Sequence, residues 1–221
     1  MKTFEEWLAY QKVNVETAAE RDEWKRIYDE MCMTSSARKE ERLKESFADY
    51  GTQYYVAGRL TAKSGLLPAY GNLLHHAVEL YLKSALIPTL TLADMKSRKY
   101  GHNLGALWER YRRMVNDPAL DRFDSTIAAL HDFESIRYPD EIVEKGMQCW
   151  VTWTSAQVTT ASGPAADVPN YQVIISEIDE LVLEILNHAS VNPKFFMVRI
   201  HDKDARAALA YQNAHADKWG L

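Results

Sequence analysis

Two short stretches hold the side chains best suited to chemistry. One is His75-His76-x-x-Glu79-x-x-x-Lys83, within "NLLHHAVELYLKSAL"; the other is Arg98-x-x-x-His102, within "RKYGHNL". Histidine, with an ordinary pKa of about 6.5, can take a proton near neutrality. Arginine presents a planar fork that grips a phosphate at two points. A base for a ribose 2′-hydroxyl and a cation for charge growing on phosphate are what metal-independent RNA cleavage requires. On one continuous helix, a spacing of four would put Arg98 and His102 on the same face. Gly101 lies between them and favours a break. In that case His102 bonds a backbone carbonyl or Glu79 and fixes the start of the next helix. Both roles stay open: His102 as base, helped by Arg98 or Arg137, or His102 as scaffold.

The first stretch belongs to a helix that is apolar almost all round, through Leu73, Leu74, Ala77, Val78, Leu80, Tyr81, Leu82, Ala85 and Leu86. Such a helix sits at the middle of a bundle. His76, Glu79 and Lys83 form its one polar line, with His75 beside it. Buried groups of this kind must be satisfied, so Glu79 is expected to pair with Lys83 or with His102. The line could also face a symmetry mate across a dimer seam, or border a small-ligand cavity. The spacing is not that of a zinc-binding HExxH helix, and the carboxylate-rich second helix of a di-iron bundle is missing, so no metal is expected. Gly-x-Ser, P-loop and dinucleotide fingerprints are absent, and no cofactor is expected.

Between Asp94 and Arg113, Lys96, Arg98, Lys99, Arg110, Arg112 and Arg113 stand against Asp94 and Glu109, a net +4. This is either a phosphate-facing patch, with Tyr100 able to stack a base, or a solvated helix face. The whole chain of 221 residues carries −5, which excludes a uniformly basic nucleic-acid-binding surface. Hydrophobic content of 47 % and charged content of 26 % are those of a globular protein. Cys32 and Cys149 match no ligand spacing and read as free thiols in a reducing, cytoplasmic compartment. No signal peptide or membrane-spanning run is expected.

These side chains must be held by helices. Thr3 and Glu6 form a capping-box pattern before Phe4, Trp7 and Leu8. Trp24, Ile27, Tyr28 and Met31 mark a second helix, and "MTSSA" breaks it. A long third helix runs from Arg38 to about Lys63, and the central helix from Asn72 to Ile87. Thr91 to Asp94 caps a short helix. Asn103 caps the helix bearing Leu104, Leu107, Trp108 and Tyr111, and Asp117-Pro118 starts another that reaches Tyr138-Pro139. "MQCWVTWTSAQVTT" has strand texture, with Trp150 and Trp153 on one side covering the bundle or a dimer partner. "ASGPAADVP" reads as a loop. Asn170 to Ala189 reads as a strong amphipathic helix, "NPKFFMVRI" as a strand pairing with Met147–Thr154, and the last stretch as a short helix.

The segments "NLLHHAVELYLKSAL", "YGHNLGAL" and "SIRYP" (Ser135–Pro139) occur in the order and spacing of HEPN domains, which the stretch from about Tyr50 to Pro139 resembles. The resemblance implies a dimer of up-and-down helical bundles. Many such domains are metal-independent ribonucleases of defence, toxin–antitoxin and RNA-processing systems. Others lack the catalytic pair and serve as binding or dimerisation modules, often beside nucleotidyltransferases. The catalytic members place an arginine and a polar residue a short distance before a histidine. Here Arg98 and His102 have only three residues between them, Arg122 and His131 eight, Arg206 and His215 eight, and no histidine follows Arg137 at a suitable distance.

The expectation is therefore a mainly α, up-and-down, HEPN-like bundle with a small β-hairpin-like insertion. It would be one domain over residues 1–221, with a core at about 36–190, an N-terminal extension 1–35 and a C-terminal extension 191–221. It would be a cytoplasmic homodimer and a binding module for RNA or a nucleotidyltransferase-like protein. Its binding residues would be His76, Glu79, Lys83, Tyr100, Asn103, Arg110, Arg112 and Arg113. The alternatives are a ribonuclease using His102 with Arg98 or Arg137, and a small-ligand-binding bundle.

Overall fold

A computed structural model describes residues 3–11, 17–32, 35–157 and 168–221. The chain divides into two compact units, Met1–Leu43 and Lys44–Leu221.

In the first unit, α1 (Phe4–Gln11) and α2 (Ala18–Cys32) each start with a reciprocal cap. Thr3 Oγ1 accepts from the Glu6 backbone N–H at 3.3 Å, and Glu6 Oε2 accepts from the Thr3 backbone N–H at 2.8 Å. Thr17 and Glu20 repeat the arrangement. Phe4, Trp7, Trp24 and Tyr28 then pack ring against ring with centroids 5.4–6.3 Å apart. The following helix, α3, runs Ser35–Lys63, and its residues from Lys44 onward belong to the second unit. Met33 and Thr34, within the break expected at "MTSSA", lie outside the described residues.

The second unit is a mainly α-helical bundle with a small β insertion. Its centre is α4 (Ala69–Leu86), where fourteen of eighteen residues are buried. Around it lie α6 (Leu104–Val115), α7 (Asp124–Asp132) and α9 (Ile175–His188). The α3 helix joins them: Tyr81 Oη donates to Thr52 Oγ1 at 3.0 Å, and Ser84 Oγ donates to the Lys44 carbonyl at 2.9 Å. Gly71 lets α4 approach α7 closely, because a Cβ there would stand 1.9 Å from Phe133 Cδ1. The short α5 (Leu92–Lys96) has the Thr91–Asp94 capping box, and Asn103 Oδ1 caps α6 by accepting from the Ala106 N–H at 3.0 Å. Among the described residues no helix is long and apolar enough to cross a membrane.

Five expectations are corrected. The segment from Asp117 is not one helix. It opens with a 3-10 turn at Pro118–Phe123, continues as α7, and restarts at Pro139 as α8 (Pro139–Lys145). Proline tolerates the first turn and disfavours helix in the residue before it.

The β insertion is a parallel pair rather than a hairpin: β1 (Gln148–Thr152) pairs with β2 (Asn170–Ile174) in the register Gln148↔Asn170 to Thr152↔Ile174. Thus α9 starts five residues later than its periodicity suggests, since Tyr171 and Ile174 satisfy both a helical stripe and an alternating strand. "NPKFFMVRI" is no strand either: Pro193 starts the single turn α10 (Lys194–Met197), which buries Phe196 and Met197. Finally, Trp150 and Trp153 do not share a strand face. Trp153 follows β1 and packs edge-on against Tyr211 at 4.8 Å, whereas Trp150 is half exposed. Residues 158–167, read from sequence partly as strand and partly as loop, lie outside the described residues.

A buried ion pair, invisible in the sequence, closes the bundle. Arg59 on α3 is fully buried and pairs with Asp179 on α9, which also accepts from Tyr55 Oη. The Arg59 Nε donates to the Ala208 carbonyl at 3.2 Å and its Nη2 to that of Tyr211. Ala208 is on α11 (Lys203–Ala210), which Asp202 caps. The guanidinium also lies 5.3 Å from the Trp153 ring centroid. Removing one partner of a buried pair leaves the other charge uncompensated, so Asp179→Ala should lose about 3–5 kcal/mol in urea unfolding. Gly71→Ala should cost about 1–3 kcal/mol in the same experiment, by overpacking against Phe133.

Candidate functional site

The polar line of α4 meets the turn that follows α5. Lys83 Nζ donates to the Gly101 carbonyl at 2.7 Å and also to Glu79 Oε1. The other carboxylate oxygen, Oε2, faces imidazoles: His76 Nδ1 at 3.2 Å and His102 Nδ1 at 3.3 Å. A third, His75 Nε2, is 4.0 Å from it. Glu79 itself is almost fully buried. Burial alone pushes its carboxyl up, but hydrogen bonds and charge from His76 and Lys83 outweigh this and hold it at about 2.

His75 is the most enclosed of the three histidines. Its Nδ1 lies 2.9 Å from the Leu130 carbonyl, an acceptor only, so Nδ1 carries the proton. Its Nε2 then presents a lone pair, and that atom is buried without a hydrogen-bond partner. Glu134 Oε2 is 3.8 Å away, and Arg137 pairs with Glu134 Oε1 at 3.2 Å. Burial pushes the His75 imidazole below its ordinary value. His131 stacks on it, with ring centroids 6.3 Å apart, and Tyr54 meets His76 edge-on at 4.4 Å.

Above this network is an open groove of about 550 Å3, lined by Lys83, Met95, Lys96, Ser97, Arg98, Gly101, His102, Asn103 and His131. Arg98 and His102 therefore border one space, although Gly101 separates them as expected. His102 is 56 % exposed at its side chain, with Nδ1 toward Glu79. Arg137 is not part of that lining; it stands at the far end of the His75–Glu134 chain.

The suggested basic patch is divided. Lys96 and Arg98 border the groove, whereas Arg112 pairs with Asp121 and Asp124, and Arg113 with Glu109. Arg110 reaches toward the Thr89 carbonyl at 3.5 Å. Tyr100 is half-buried against the core, with Lys99 Nζ 4.9 Å from its ring centroid. Asn103 serves as the α6 cap.

Sequence reading missed His75 Nε2 and the approach of His131 and Glu134, because these depend on how α7 lies against α4. It also expected no metal. The three donors His76 Nδ1, Glu79 Oε2 and His102 Nδ1 nonetheless fall within 4.8 Å of one another, close enough to share an ion. No protein-family model, curated protein sequence or solved structure matches the chain.

The depressed Glu79 value fixes the sign of one pH effect. A carboxyl whose folded value is about 2, against an ordinary 4.5, adds stability above pH 4.5 that is lost as the pH falls toward 2. Urea unfolding between these limits should show this decline in the native chain and a flatter one in Glu79→Gln.

Proposed function

We propose that the unit Lys44–Leu221 is a HEPN-like binding module for single-stranded RNA, acting in an RNA-linked or defence system of the cytoplasm as a homodimer. One observation carries this reading. The groove beside α4 has Lys96 and Arg98 in its lining and no carboxylate, with Lys83 at its floor already paired to Glu79, on a chain whose net charge is −5. A concave strip of cations on an acidic protein attracts phosphate locally without making the whole surface adhesive. The family resemblance agrees with a central α4 whose polar edge meets the Tyr100–Leu104 corner.

A second reading has its own support. Glu79 holds His102 by Nδ1, which leaves Nε2 as the outward nitrogen of a carboxylate–imidazole pair, and Arg98 borders the same groove. In a metal-independent ribonuclease, His102 Nε2 would take the 2′-hydroxyl proton while Arg98 stabilised the phosphate. A nucleotidyltransferase-like protein partner, the other association implied by the resemblance, has no comparable feature in its favour.

Fluorescence anisotropy with labelled single-stranded RNA tests the first reading. Arg98→Ala should weaken binding and reduce the slope of log affinity against log salt by about 1. Absence of binding at low salt would refute it. Incubation of the same RNA with chelator present decides between the readings. Intact RNA fits the binding module, while cleavage abolished by His102→Ala assigns the nuclease. Light scattering on the purified chain reads the dimer.

A further inference from the structure

Two imidazole nitrogens and one carboxylate oxygen, those of His76, His102 and Glu79, lie within 4.8 Å of one another where α4 meets the turn before α6. Glu79 Oε2 is the shared neighbour, 3.2 Å from His76 Nδ1, 3.3 Å from His102 Nδ1 and 4.0 Å from His75 Nε2. Donors held about 2.1 Å from a tetrahedral Zn2+ stand about 3.4 Å from one another. The two shorter separations match that edge, whereas His75 Nε2 stands outside the set of mutually close donors. Two histidines with one carboxylate are a donor set that favours Zn2+ over Mg2+ or Ca2+, which prefer oxygen.

His75 is not one of these donors, but its Nε2 lies 4.0 Å from the same carboxylate and shows a want of positive charge there. Its Nδ1 is anchored on the Leu130 carbonyl at 2.9 Å, and Nε2 is buried and unpartnered. Its side chain is 3 % exposed. The Nε2 lone pair looks toward two carboxylates, Glu79 and Glu134, so acceptors face acceptors. A cation relieves that opposition. Lys83 takes only Oε1 of Glu79, which orients the carboxylate and leaves Oε2 for the ion.

We propose that His76 Nδ1, Glu79 Oε2 and His102 Nδ1 bind one divalent transition-metal ion of the Zn2+ class, with the fourth position left to solvent. The site ties α4 to the turn before α6. It is independent of whether the groove above it binds RNA.

The full chain, stripped with chelator, is titrated with Zn2+ by calorimetry and with Co2+ by visible absorption. One ion should bind per chain, and Co2+ should give the visible bands of a four-coordinate nitrogen–oxygen site. An intense thiolate charge-transfer band would instead assign binding to Cys32 or Cys149 and overturn the proposal. His102→Ala changes an exposed side chain and leaves α4 intact; it should weaken Zn2+ at least about 100-fold. Zn2+ should raise the thermal midpoint of the native chain and not of His102→Ala. No binding, or binding that His102→Ala leaves unchanged, refutes the site.

Discussion

Glu79 carries a negative charge on the helix that α6, α7 and α9 pack around, and almost none of it reaches water. A buried carboxylate is tolerated only when hydrogen bonds and opposite charge surround it. Lys83 provides the charge from the next turn of the same helix, and His76 and His102 provide the contacts. Because Lys83 also holds the Gly101 carbonyl, the turn between α5 and α6 is pinned to α4 by the groups that neutralise Glu79. The Arg98–Asn103 rim of the groove is thereby fixed relative to the bundle. Loss of the carboxylate would free both its partners and the turn they hold.

Much of this was legible in the sequence, because it is local. The nearly unbroken apolar circumference of α4 announced its central place, and the spacing of His76, Glu79 and Lys83 announced a single polar edge. Thr91, Asp94 and Asn103 announced caps, since capping depends on residues three apart. The geometry that makes the corner a candidate site is different in kind. The pairing of Glu79 with His102, twenty-three residues further on, is among the expected contacts, but the distances that bring His76 and His102 to one carboxylate oxygen are not. The orientation of His75 depends on a carbonyl in α7. No periodicity encodes such encounters.

The misread elements failed for equally specific reasons. Tyr171, Ile174, Ile175 and Ile178 lie on one helical stripe, and only pairing with β1 shows that the first part of that run is extended. The residues of "NPKFFMVRI" have strand propensity, but Pro193 and the burial of Phe196 and Met197 set a helical turn there. Arg112 and Arg113 belong to a locally basic stretch, but Arg112 is neutralised by Asp121 and Asp124 from the next segment and Arg113 by Glu109 on its own helix. A charge excess along the chain is not a charge excess in space.

Arg59 has a consequence for the order in which the second unit is completed. Its partners lie 120, 149 and 152 residues further along the chain, at Asp179, Ala208 and Tyr211. During synthesis the α3 guanidinium emerges long before any of them. Early intermediates must keep Arg59 hydrated, so α3 cannot seat fully while the later segments are still being made. Closure of this bundle is thus a late event, timed by the arrival of α9 and α11.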